Sequence, residues 1–244
     1  MKQRVRHRCA EPHPHGPPRC TVFRKGQNTC QKVAEAAPDT AAAAADLTGK
    51  RYLCSMTHTE ESPLQLRRLH DTATEEYRFT EQLLTAAFPP EEYRDFEELR
   101  VLTQDDPRFR NHAILDRGEL VGVLSYWDFG RFHYVEHFAV CPGMRNRGYG
   151  RKVLGMLRSR LHTPVVLEVE RPDSELAARR IAFYRRNGFT LWESDYVQPP
   201  YRPGGDAVPM RLMVCGALCE ADDFASVKET IHREVYGCPP ATRG

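Results

Sequence analysis

FHYVEHFAVCPGMRNRGYGRKVLGMLRSRL, Phe132 to Leu161, reads as a strand, a tight turn and an amphipathic helix, in that order. Phe132 to Val140 is rich in aromatic and β-branched residues, which suit a packed, pleated surface. Cys141-Pro142-Gly143 stops the strand, because proline cannot donate to a ladder and glycine loosens the backbone. After Arg145-Asn146-Arg147-Gly148-Tyr149-Gly150, apolar residues recur at Val153, Leu154, Leu157 and Leu161, which is a helical stripe. The turn therefore brings unpartnered backbone N–H groups and two arginines to a helix start. That combination suits an anion, since the helix dipole is positive there and the first amides lack partners.

Two common phosphate motifs are excluded at this turn. No Lys-Ser or Lys-Thr follows the glycines to hold a γ-phosphate and magnesium, so the P-loop pattern fails. The dinucleotide pattern G-x-G-x-x-G fails as well, because Arg145 stands where that motif has glycine. What remains, Arg-x-x-Gly-x-Gly directly after a strand, resembles the acetyl-CoA signature of the GNAT superfamily of acyl-CoA-dependent N-acyltransferases. A second segment, Ala182-Phe183-Tyr184-Arg185-Arg186-Asn187-Gly188-Phe189, is similar to the family's F-Y-x-x-x-G-F motif. The resemblance covers about residues 63–215. It implies an α/β (α+β) GNAT fold: a mixed, mostly antiparallel sheet of about 6–7 strands, about four flanking helices and splayed central strands.

Chain-wide properties narrow the setting. With 244 residues, 41% hydrophobic and 28% charged, this is ordinary globular composition. No apolar run approaches the ~20 residues of a membrane helix, so no membrane role is expected. Residues 1–55 hold ten Lys/Arg against four Asp/Glu, which leaves 25 against 29 in the rest. The later part is thus mildly acidic and lacks a basic face with interleaved aromatics, which argues against nucleic-acid binding. Eight cysteines are scattered through core-like and tail-like segments without a signal-peptide core before them. Cys141, Cys215 and Cys219 are expected to be buried or semi-buried thiols in a reducing cytoplasm.

Residues 1–55 carry Arg, His and Pro without hydrophobic periodicity, and Ala41–Ala45 is a low-complexity run. Disorder is the expectation, because such a stretch buries too little apolar area to offset its ordering entropy. Cys9, His13, His15, Cys20 and Cys30 fit no metal cage, and prolines interrupt a transit-peptide helix, so neither reading is adopted. A start at Met56 accounts better for the change in character. The domain is placed at 56–216, with a partly helical, loosely attached tail over 217–244. Within the domain the pattern predicts a strand over 64–69, helices over 74–88 and 91–102, and a hairpin over 112–127. Strands over 165–170, 188–192 and 208–214 and a helix over 175–186 complete it.

The resemblance also assigns chemistry. The loop Arg145, Asn146, Arg147, Gly148, Tyr149 and Gly150 would cradle the CoA pyrophosphate. The strand segment Phe138, Ala139 and Val140 would offer backbone groups to the pantetheine arm. Transfer to an amine gains from a general base, which the family often takes from a glutamate on one of the two splayed strands. Glu136, Glu168 and Glu170 are the candidates, with Glu168 slightly ahead of Glu136. Pairing with Arg179, Arg180 or Arg185 is the competing reading of these carboxylates. Tyr184 matches the tyrosine that protonates the leaving thiolate, against a plain core role. His137 is a weaker candidate for a relay.

Glu136, Glu168, Glu170 and Asp128 together would give an acidic mouth for a cationic amine. The loop 196–203, with three prolines, would be a lid or substrate wall. These readings point to acetyl transfer from acetyl-CoA to a primary amine of a small molecule, without a metal, by a monomer or homodimer. A protein amine as acceptor and a non-catalytic acyl-CoA sensor are the alternatives.

Overall fold

The computed structural model describes residues 64–239, so the expectations for residues 1–55 and for Met56 lie outside the described residues. The order is β1 (Leu64–Arg68), α1 (Glu75–Ala87), α2 (Phe96–Asp105), β2 (Phe109–Asp116), β3 (Glu119–Asp128), β4 (His133–Val140) and α3 (Tyr149–Arg160). It continues with β5 (Val165–Glu170), α4 (Glu175–Arg186), β6 (Thr190–Leu191), β7 (Tyr196–Gln198), β8 (Val208–Cys215) and α5 (Glu220–Glu234). The strands form one sheet in the order β1-β2-β3-β4-β5-β8-β6, with β7 also paired to β8. Only β4 and β5 run parallel.

Helices cover both faces. Leu167 and Val169 of β5 pack with Val153, Leu154 and Leu157 of α3 and Ile181 of α4. Val166, on the opposite face, packs in the cluster that holds Leu83 and Leu84 of α1, Leu99 of α2, and Val227 and Ile231 of α5. The two-residue alternation of a strand assigns Glu168 to this second face, beside Val166.

Two irregularities shape the centre of the sheet. The parallel pairing of β4 with β5 ends at Val135 and Leu167, so the strands part beyond that point. Opposite β3, Ser125 pairs with His137 but Tyr126 pairs with Val135, which leaves Glu136 as the extra residue of a β-bulge. A bulge breaks the alternation locally and re-aims a side chain. Here it lets the neighbours Glu136 and His137 both face the α1/α2/α5 layer, where Trp127 meets the first and Phe88 the second.

Most expected elements stand within a few residues of their predicted bounds, and the exceptions have local causes. The helix predicted over 91–102 is a single 3-10 turn, Pro90–Glu92, followed by a new start at Phe96. Asp95 caps that start by accepting from the Glu97 amide at 2.8 Å. The strand predicted over 188–192 is confined to Thr190–Leu191, because Gly188 at φ +88° ends α4 and Phe189 N–H still bonds to Tyr184. The first part of the 196–203 loop is strand β7 rather than loop.

The tail is the largest correction. The described residues belong to one compact unit, 57–244, and α5 is built into its core, with Val227 and Ile231 fully buried. Cys219, expected to be at least semi-buried, is exposed at the start of that helix.

Candidate active site

The turn before α3 offers backbone groups rather than side-chain caps. Asn146 and Gly148 both have positive φ, +64° and +80°, and no side chain caps the helix that starts at Tyr149. Two positions show why glycine suits the motif. A Cβ on Gly148 would project into open space, so its requirement is the left-handed φ and the clear approach. A Cβ on Gly150 would stand 2.9 Å from the Phe183 ring, so that glycine lets α3 and α4 come together. Arg145, Arg147 and Gly148 are exposed, and no acid stands in the first turn of α3. These residues suit a polyphosphate, because a helix N-terminus without a side-chain cap meets two exposed guanidiniums, of which that of Arg145 also donates from Nε to the Val140 carbonyl at 3.3 Å. Beyond Val135 the edge of β4, which includes Phe138, Ala139 and Val140, faces the gap left by β5.

On the other side of that gap lies a buried polar cluster. The Glu136 side chain is wholly inaccessible and receives Arg94 Nε at 2.9 Å and Arg94 Nη2 at 2.8 Å. Trp127 Nε1 at 2.6 Å and Tyr201 Oη at 3.1 Å also donate to it. Burial alone would raise its pKa, but the Arg94 guanidinium, with the Trp127 hydrogen bond, holds it below the ordinary carboxylate value. Glu136 is thereby a fixed anion, which counts against the expectation that it serves as a base.

Glu168 differs. Tyr196 Oη and Tyr236 Oη donate to its two oxygens, the second at 2.9 Å, and Tyr134 Oη stands 3.2 Å from that of Tyr236. No cation pairs with it. Burial raises its pKa to about 7, against the lowering effect of the tyrosine hydroxyls, and the charge of Glu136 adds to the rise. A carboxyl balanced near neutrality can accept a proton and release it again.

The remaining candidates separate. Glu170 pairs with Arg180, as the competing reading of these carboxylates had it. Tyr184 is buried on the α3/α4 side, between the rings of Phe183 and Phe189. Burial pushes its hydroxyl up to about 12, with Arg180 opposing and Glu170 adding, so it stays protonated at neutral pH. His137 is held between Ser125 and the Glu92 carbonyl, 3.0 Å away. Since a carbonyl only accepts, Nε2 carries the proton and Nδ1 accepts from the Ser125 hydroxyl. Burial lowers the pKa of His137 and keeps it neutral.

The acidic mouth does not form. Asp128 pairs with His133 at the closed end of the sheet, Glu136 is neutralised by Arg94, and Glu170 by Arg180. Tyrosines enclose Glu168 instead.

Comparison with known proteins gives the family. The family model described as Acetyltransferase (GNAT) family matches residues 66–189. The chain belongs to the GNAT family of acetyltransferases. It is similar to a GNAT-family structure from Bacteroides thetaiotaomicron, at 47% identity over 72% of this chain and 99% of that one, with a TM-score of 0.70. A more distant likeness is to a spermidine N-acetyltransferase chimera from Vibrio cholerae and hSSAT, at 20% identity. It covers 63% of this chain and 95% of that one, with a TM-score of 0.48. No curated protein matches the chain.

As a GNAT acetyltransferase, the chain is an acyltransferase, and its family uses acetyl-CoA as co-substrate. No described helix is long and apolar enough to cross a membrane. Sequence reading missed Arg94, Trp127, Tyr134 and Tyr236, and took Tyr196 and Tyr201 only as loop residues. The three prolines flanking Tyr201 were the usable signal, since a stiffened turn can hold an aromatic inward. Nothing near Arg94 or Tyr236 in the sequence announces carboxylate partners 42 and 68 residues away.

Proposed function

We propose that this GNAT enzyme transfers the acetyl group of acetyl-CoA directly to a primary amine of a small molecule, with Glu168 as general base. The observation that carries the reading is the buried Glu168 carboxyl, held by the Tyr196 and Tyr236 hydroxyls and, among the described residues, paired with no cation. In this reading Arg145–Gly150 holds the pyrophosphate, and the thioester lies in the gap between β4 and β5. The neutral amine approaches from the α1/α2/α5 side and its nitrogen lone pair forms the C–N bond. Glu168 takes the proton that this nitrogen sheds, and the C–S bond breaks. The departing thiolate takes its proton from Tyr184 Oη, on the opposite side of the sheet.

A small acceptor is favoured over a protein chain by the way this side is covered. Tyr196 on β7, Tyr201 in the loop after it and Tyr236 just past α5 close around the carboxylates. Beside Tyr201 lies a small cleft of about 180 Å³, lined by Pro90, Glu91, Pro200, Arg202 and Asp206. Without an acidic mouth, the non-reacting part of the acceptor need not be cationic. The cytoplasmic setting is carried forward from the cysteine usage.

The test is a thiol-release assay of the full chain with acetyl-CoA across small amines, amino acids, aminoglycosides and peptides. Turnover with a small primary amine supports the reading. Turnover restricted to peptides would assign the enzyme to protein acetylation, and none with any amine would leave only a CoA-binding role.

A further inference from the structure

The family model ends at residue 189, yet three of the tyrosines that surround the two carboxylates lie beyond it, and one lies in the C-terminal segment. We propose that Tyr236, carried in by α5, is a positioning residue for Glu168, so that the C-terminal segment completes the active site instead of merely covering it. The proposal rests on the assignment of Glu168 as base.

The geometry shows a helix fastened so as to deliver that hydroxyl. At its N-terminal end, Glu220 accepts from both the amide and the hydroxyl of Ser194, at 2.6 and 2.7 Å. Along its length Val227 and Ile231 are fully buried. Near its C-terminal end His232 meets the Val197 carbonyl at 3.0 Å, next to Tyr196, another donor to Glu168. The decisive contact is that of Arg94. Its guanidinium holds Glu136 and also donates from Nη2 to the Val235 carbonyl at 3.2 Å, one residue before Tyr236.

One buried cation thus fixes both the permanent anion and the backbone that presents Tyr236. The ring of Tyr236 lies 4.9 Å from that of Tyr201, which itself donates to Glu136. Since Tyr236 donates to the carboxylate, its oxygen is left to accept from Tyr134 Oη. The hydroxyls of Tyr196, Tyr236 and Tyr134, the last also bonded to Tyr236, therefore stabilise the ionised form of Glu168 against the burial that opposes it.

A tyrosine that only filled space would leave the proton affinity of its neighbour unchanged when its hydroxyl is removed. Tyr236→Phe keeps the ring and deletes one donor, so it separates the two roles. The direct reading is a pH titration of the Glu168 side-chain carbonyl by ¹³C NMR on the full chain labelled at glutamate, with Glu168→Gln to identify the signal. In the wild type the midpoint lies near 7. In Tyr236→Phe it moves upward by about half to one pH unit, as expected for loss of one hydrogen bond to the charged form.

The acid limb of kcat/KM for the amine found by thiol release moves by the same amount, while acetyl-CoA affinity holds. A midpoint that does not move overturns the positioning role and leaves the base assignment standing. An acid limb that survives in Glu168→Gln overturns the base assignment itself, and with it the catalytic meaning of Tyr236. Tyr134→Phe, which removes the next donor in the chain, moves the midpoint in the same direction by less. A downward move in either variant also contradicts the proposal.

Discussion

The turn at 145–150 and the cluster around Glu168 face each other across the splayed strands, and they are built by opposite means. The turn is a run of six neighbouring residues. It is exposed and cationic, with two positive-φ residues and no side-chain helix cap, and the role we propose for it rests on backbone amides. The cluster is buried and aromatic, and it acts through side chains drawn from residues 94, 127, 134, 136, 168, 196, 201 and 236. An invariant donor is met well by a short local motif, because a pyrophosphate needs only amides, space and positive charge. Tuning one carboxyl requires a dry environment with counted hydrogen bonds, and only tertiary packing supplies that.

Changes on the two sides should therefore fail in different ways. The largest effect is expected from Glu168→Gln, which removes the base: kcat should fall by about 10²- to 10⁴-fold. The wild-type acid limb near pH 7 should vanish with it, as steady-state kinetics over pH 5–9 would reveal. Sign matters here, because a carboxyl raised to about 7 is protonated and idle below that value and competent above it.

Next in size is Glu136→Gln. It leaves the buried Arg94 with Glu98 as its remaining anion and should lower unfolding free energy by about 3 kcal/mol, the lower end for breaking a buried pair. Urea denaturation measures this directly. A loss below about 1 kcal/mol would mean that Arg94 finds water or another partner.

On the donor side, Gly148→Val forces a β-branched residue to φ +80° and places a side chain where phosphate must approach. Acetyl-CoA affinity should drop by about tenfold or more, since strain of this kind costs about 1–3 kcal/mol when the loop resists it. Unchanged circular dichroism would confirm that the fold survives. The smallest effect belongs to Tyr184→Phe, because water can substitute in part for a missing acid. Its kcat should fall by about tenfold with acetyl-CoA affinity preserved. Equal turnover in the two proteins would reduce Tyr184 to a core residue packed against Phe189.

How far the sequence could be read follows from the same division. Strand, turn and helix over 132–161 were legible, because alternation, Pro-Gly punctuation and a 3.6-residue stripe are local properties. So were β5 and α4, whose bounds agree to the residue. The second helix was misplaced because Asp95 competes with the Pro90 turn as a helix start, and capping decides such cases at the level of one hydrogen bond. Glu168 could be singled out as a carboxyl in an apolar strand. Its distinction from Glu136 could not, since that depends on Arg94 reaching one of them and tyrosines the other. The bulge that turns Glu136 toward Arg94 leaves no mark in composition, as it arises from a register shift between β3 and β4. Likewise α5 reads as a peripheral amphipathic helix until the burial of Ile231 and the reach of Tyr236 are seen.

One measurement tests the division of labour most directly: calorimetric titration of acetyl-CoA into the full-length wild type, Gly148→Val and Glu168→Gln. Glu168→Gln should bind acetyl-CoA as the wild type does, while Gly148→Val should bind at least about tenfold more weakly. Equal affinity in all three, or a loss in Glu168→Gln alone, would contradict that division.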